Sequence, residues 1–320
     1  MAAYDKALYF QPDHPDGHWN KALLQLLTAD FANAWREYEW RWLKFPDQRR
    51  YFRAPLWDGA DIAGKTILLH AEQGFGDAIQ FIRYAPLVAQ RGIVVYVECQ
   101  PELATLFRNL PGVSRTISRG DTLPAFDYHC PLMSLPFAFS TTLSNIPAAT
   151  PYLSADPSLS QIWKRRLEAQ KGKLKIGLAW AGAAIHRKDR ERSLPAAALA
   201  PLSDLNHALI SLQKGPATSG IPDALPALID FTPELNDFAD TAALIANLDL
   251  VICADTAVAH LAAAMGKPTW LLLAYSPDWR WLLDREDSPW YPAIKLFRQQ
   301  SRADWAGVMD RVIQSLATVK

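Results

Sequence analysis

The chain has 320 residues, half of them apolar and 21% charged, which fits about two globular domains rather than a disordered polymer. Lys and Arg number 33 against 33 Asp and Glu, a formal net charge of zero, and that balance argues against a dedicated nucleic-acid binder. No apolar run reaches the ~18–20 residues of a membrane span, and no basic segment followed by an apolar one marks a signal peptide.

Cysteine is sparse. Cys99, Cys130 and Cys253 form no Cys-x-x-Cys pair, so neither a disulfide framework nor a zinc site of that kind is expected, and the chain reads as reduced and cytoplasmic. Tryptophan is frequent at 12 residues. Trp35, Trp40 and Trp42 cluster early, and Trp279, Trp281 and Trp290 cluster late. Such groups either pack a core or stack on a sugar or base.

In chain order, the stretch to about Leu43 is helical, with Ala22, Leu23, Leu26, Leu27, Ala34 and Trp35 at helix spacing and a break at Thr28-Ala29-Asp30. The hairpin, preceded by Ala7-Leu8-Tyr9-Phe10-Gln11-Pro12, resembles a single tetratricopeptide repeat. One repeat cannot bury its own face, so it packs on the next domain or ends a longer array. From Lys65 the pattern becomes strand, helix, strand, helix: Thr66–His70, Ala78 to Gln90, Ile93–Val97 and Pro101 to about Asn109. Residues 120–157, rich in Pro, Ser and Thr, read as a bridge. The alternation then resumes with a helix over 158–170, strands Lys175–Trp180, Ala208–Leu212 and Asp249–Cys253, helix 257–265 and strand Thr269–Leu273. This is the βαβ pattern of parallel sheets. The expected division is a helical segment over 1–50, a Rossmann-like domain over 51–157, a second over 158–302, and a C-terminal helix over 303–320 that could pack back across them. Ligands of such sheets bind at the carboxyl ends of strands.

Three segments carry chemistry. Asp255 and Thr256 follow a strand and precede a helix that opens with the small Ala257; its amides and positive end suit a diphosphate. Thr256 adds a hydroxyl, and His260 lies one turn on. Helix capping for Asp255 and Thr256, and a satisfied core imidazole for His260, are the plainer alternatives. The loop with His186, Arg187, Lys188, Arg190 and Arg192, and Lys214 after the neighbouring strand, offers phosphate ligands, or is a solvated surface. Gln73-Gly74-Phe75-Gly76-Asp77 brings backbone close to a ligand and sets a carboxylate at a helix start. Asp77 is then a cap or a general base, with His70 and Glu72 next in line. The glycine pattern of a dinucleotide fingerprint is incomplete, with Ile79 in the third place.

His70-Ala71-Glu72-Gln73-Gly74-Phe75-Gly76-Asp77, Asp237–Ala242, Asp255–Leu261 and Asp278-Trp279-Arg280-Trp281-Leu282 together resemble bacterial tetratricopeptide-repeat proteins with a C-terminal heptosyltransferase-type (family nine) glycosyltransferase domain, and more distantly O-GlcNAc transferase. The resemblance implies a GT-B fold, α/β with two facing Rossmann-like domains, and an inverting, metal-independent transfer from a nucleotide-diphosphate sugar, with no cofactor. It makes Asp77 the base or an acceptor-positioning residue, with Gln73, Gly74 and Gly76 on the acceptor side. Lys188, Arg192, Lys214, Asp255, Thr256, Ala257 and His260 would hold the donor. Ala257 departs from the glycine usual in the family after Asp-Thr. The acceptor would be a glycan, a lipid-linked sugar or a protein, and the repeat would recruit a protein partner; neither nucleic acid nor a membrane span is implied. The alternatives are a Rossmann-type NAD(P)-dependent oxidoreductase and a non-catalytic repeat-linked scaffold.

Overall fold

Hydrophobic alternation and its period build two compact units in the computed structural model, which describes residues 1–182, 189–215 and 221–318. Unit 1 holds Met1–Ala148 together with Asp278–Arg285, and unit 2 holds Ala149–Pro277 and Glu286–Lys320.

Unit 1 begins with helices Ala2–Phe10, Pro15–Leu27, Phe31–Tyr38 and Arg41–Lys44. In the third, Phe31, Ala34, Trp35 and Tyr38 are buried, the i, i+3, i+4, i+7 stripe of a helix with one apolar face. The indole of Trp35 donates to the Thr141 carbonyl at 2.8 Å, which ties this helix to the sheet domain. The sheet is four-stranded and parallel, in the order β3-β2-β1-β4: β1 Thr66–His70, β2 Val94–Cys99, β3 Val113–Ser118 and β4 Tyr128–Pro131. After β1 the chain turns through Gly74 into helix Phe75–Phe81, a 3-10 turn Ile82–Tyr84 and helix Ala85–Ala89. The single helix expected from Ala78 to Gln90 is thus split, and begins earlier.

Unit 2 carries a six-stranded parallel sheet, β10-β9-β8-β5-β6-β7: β5 Lys175–Ala179, β6 Ala208–Ser211, β7 Ile229–Asp230, β8 Leu250–Ala254, β9 Thr269–Leu273 and β10 Ile294–Arg298. Every residue of β8 is buried, as expected for a central parallel strand covered on both faces. Helix Trp305–Leu316 buries Trp305, Val308, Met309, Val312 and Leu316 in the same core as Ile176, Leu209 and Ile252.

The stretch 120–157, read as a bridge, contains a real strand. β4 pairs with β1 from Ile67↔Tyr128 to His70↔Pro131. It is four residues long, ends in proline and is only half buried along its length, too short to show a period. The loop expected after β5 contains a short helix, Asp189–Arg192.

Candidate functional site

The candidate residues fall in two groups, one in each unit, and each group is described by itself.

In unit 2, β8 ends at Ala254 and the chain passes through Asp255 and Thr256 into helix Ala257–Ala264. Thr256 is the N-cap residue, yet its hydroxyl makes no capping bond. Its Oγ1 is buried and has no hydrogen-bond partner among the described residues. A buried hydroxyl without a partner costs free energy that a ligand atom can recover, and the helix amides beside it point the same way chemically. Arg192 donates from Nη1 to the Asp255 carbonyl at 3.1 Å, so the end of the basic loop does reach the strand–helix turn. His260 is 5% exposed, and its Nδ1 meets the Tyr291 hydroxyl at 2.8 Å, which is the arrangement of an imidazole satisfied inside the core. Lys214 donates to the Leu235 carbonyl, so that ammonium is engaged with backbone. Lys188, with His186 and Arg187, lies outside the described residues.

In unit 1, Asp77 is the third residue of helix Phe75–Phe81, and its Oδ2 accepts from the Gly74 amide at 3.0 Å. That bond is the capping interaction. Oδ1 accepts from Nη2 of Arg280 at 2.5 Å. Arg280 also donates from Nε to Gln80 Oε1 at 2.5 Å and from Nη1 to Asp278 Oδ1 at 2.8 Å, and its guanidinium lies 4.3 Å from the Trp279 ring. Burial alone would weaken its protonation, but Asp278 and Asp77 hold its pKa above the ordinary value. Gln73 accepts through its carbonyl from Gln100 Nε2 at 2.6 Å. Gly74 is exposed and Gly76 half-buried.

Five residues before Asp77, Glu72 is joined by Oε1 to Arg41 of the N-terminal helices at 2.9 Å. Its Oε2 is buried without a partner. Burial raises its pKa to about 7 in spite of Arg41. His70 is buried and meets His129 at 3.2 Å between ring nitrogens. Burial first, then His129 and nearby arginines, keep its pKa well below the usual value, so it is a neutral imidazole.

The late tryptophans pack rather than line an open surface: Trp279 is 5% exposed, and Trp281 and Trp290 are fully buried. Trp279 meets Trp35 edge-on at 5.7 Å between ring centres. Sequence reasoning singled out Asp278–Leu282 without giving Arg280 or Gln80 a part. The only signal was an arginine between two tryptophans, which is an environment suited to a buried guanidinium. Among the described residues no group of three His, Cys, Asp or Glu side chains could hold a metal ion, and no helix is long and apolar enough to cross a membrane.

With this geometry in place, residues 228–305 match Glycosyltransferase family 9 (heptosyltransferase). The matched segment is about a quarter of the chain. It takes in β8, Asp255, Thr256, His260 and the Asp278–Leu282 segment. Protein FlbA of Caulobacter vibrioides is 28% identical over 326 residues, 92% of this chain and 54% of the relative, so the chain spans about half the length of that protein. Among solved structures, the fold is similar to E. coli ADP-heptose lps heptosyltransferase II, with a TM-score of 0.55 at 14% identity over 79% of this chain and 99% of the other. E. coli heptosyltransferase WaaC with ADP gives a TM-score of 0.50 at 12% identity over 78% and 99%. The fold is therefore the α/β, parallel-sheet fold of these heptosyltransferases. Family match and fold support one enzyme class, a glycosyltransferase.

Proposed function

We propose that the chain transfers a sugar from a nucleotide-diphosphate donor to an acceptor hydroxyl, with inversion and without a metal ion. The buried, unpartnered Thr256 hydroxyl at the start of helix Ala257–Ala264 carries this reading, because it gives a diphosphate oxygen a donor beside free helix amides. Unit 2 takes the donor through Thr256, the Ala257 amide, Asp255 and Arg192, with Lys188 as a further member; Lys214 and His260, bonded to the Leu235 carbonyl and the Tyr291 hydroxyl, serve the donor only by bracing the surrounding structure. Unit 1 takes the acceptor near Gln73, Gly74 and Gly76. Asp77 accepts the acceptor's hydroxyl proton as the oxygen attacks the anomeric carbon. The bond from that carbon to the diphosphate oxygen breaks, and the diphosphate departs with the electron pair, its charge met by helix amides, Thr256 and Arg192. The helical hairpin of residues 15–38, resembling one tetratricopeptide repeat, serves a protein partner, and the acceptor is a glycan, a lipid-linked sugar or a protein.

ADP is the probe of choice, being the nucleotide in the similar E. coli structure. Calorimetry should show ADP binding to the parent chain, weakened about tenfold by Thr256→Val. Arg192→Ala should weaken it too, by less at high salt. ADP bound equally by all three chains, or by none, removes the donor site from this place. With ADP-heptose as donor, Asp77→Asn should lower the rate of ADP release roughly 100-fold, with ADP affinity unchanged, and EDTA should have no effect.

A further inference from the structure

We propose that Arg280 is a positioning residue for the general base: it holds the Asp77 carboxylate ionised and in one orientation. This rests on the reading of Asp77 as the base.

Asp77 is pinned at both oxygens, by the Gly74 amide three residues before it on Oδ2 and by the guanidinium of the far-off Arg280 on Oδ1. Two such bonds fix the carboxylate plane. A carboxylate accepts at about four lone-pair positions, so these two bonds do not by themselves exclude an acceptor hydroxyl. Exposure supports the same division of labour. The Asp77 side chain is 22% exposed and that of Arg280 only 9%, so the guanidinium stands behind a carboxylate that keeps a solvent-facing edge.

Arg280 is itself held. Gln80, fully buried one turn beyond Asp77, accepts from Nε. Asp278 accepts from Nη1, and Trp279 covers the guanidinium face. Trp279 in turn packs on Trp35 and Phe81. Two non-glycine residues just beyond, Leu282 and Asp284, take left-handed φ angles of 53° and 50°, a cost that the surrounding packing must over-determine. A segment serving only to fill space needs a tryptophan here; it does not need a guanidinium aimed at the helix start.

The arrangement makes a kinetic prediction. Opposite charge in contact favours an ionised carboxylate. Among the described residues, the charged or titratable groups acting on this cluster include Asp278 on the same segment, Glu72 before the helix, and Tyr38 and Arg41 from the N-terminal helices. Removing the guanidinium takes away the favourable charge in contact with Oδ1, so the acidic limb of the rate profile moves to higher pH.

The experiment follows ADP release from ADP-heptose by the full chain from about pH 5 to about pH 8.5, for the parent, Arg280→Gln, Arg280→Lys and Asp77→Asn. ADP affinity and melting temperature are measured alongside. Arg280→Gln should lower kcat by roughly tenfold or more near neutrality, keep KM for ADP-heptose within about twofold, and raise the acidic limb by about one pH unit. Arg280→Lys should restore the limb and part of kcat, and it decides the matter alone if the glutamine variant melts below the assay temperature. A lowered melting temperature with kcat and limb unmoved, or a lysine variant no better than the glutamine one, overturns the proposal. The two failures are separable: full turnover by Asp77→Asn sinks the base reading itself, whereas a slow Asp77→Asn beside an unaffected Arg280→Gln sinks only the role of Arg280.

Discussion

Glu72 shows what a single residue in this fold does to stability. Burial lifts its pKa from the usual 4.5 to about 7, against the pull of Arg41. Between those two values the folded chain holds a proton that the unfolded chain has released. The stabilisation from that proton therefore falls as pH rises through the window, and this one contribution is gone above it. A shift of that size corresponds to on the order of 3 kcal/mol. Glu72→Gln removes the titration while Arg41 keeps Glu39, 2.6 Å away. Thermal melts should show the variant gaining on the parent between pH 5 and pH 7.5. A constant difference across that range would mean that Glu72 ionises normally. Nothing in the sequence around Glu72 foretold this, because its partner comes from a helix 31 residues earlier. Asp77 was legible as a carboxylate at a helix start, since that signal is local. The guanidinium that completes it lies 203 residues away, beyond any local pattern.

At the scale of elements, the largely buried strands were readable, and the partly exposed or very short ones were not. β1 and β9 have the expected ends, Thr66–His70 and Thr269–Leu273, because an unbroken apolar run bounded by Gly, Pro or polar residues has few other uses. β3 carries Ser, Arg and Thr, with two of its six residues exposed; β7 is two residues long. Neither has enough buried positions to reveal its period. The closeness of packing in the second sheet is testable at Gly177, in the middle of β5. A Cβ there would stand 2.6 Å from Leu248 Cδ1 and 2.7 Å from Leu212 Cδ1, and both leucines are buried. Gly177→Ala should cost about 1–3 kcal/mol in denaturant unfolding, while the folded fraction binds ADP as the parent does. An unchanged midpoint would show that these side chains can move aside freely.

At the scale of the molecule, the chain leaves unit 2 after Pro277, spends Asp278–Arg285 in unit 1, and returns at Glu286. Trp279 is the main apolar anchor of that excursion, against Trp35, Tyr38 and Phe81. Trp279→Ala should cost about 3–5 kcal/mol. Amide exchange should quicken first in Phe31–Tyr38 and Phe75–Phe81, with β8 and β9 following only on global unfolding. Loss of protection beginning in β9 would place the anchor's effect in the wrong unit.

The same excursion imposes a schedule on biosynthesis. A ribosome delivers Asp77 long before Arg280, and at ordinary elongation speeds the interval is roughly 10–40 s. Even once β4 has been made and the first sheet can close, Trp35, Tyr38 and Phe81 lack the indole that covers them, and the Asp77 carboxylate lacks its guanidinium. The aromatic cluster of the early half therefore closes only when the late half arrives.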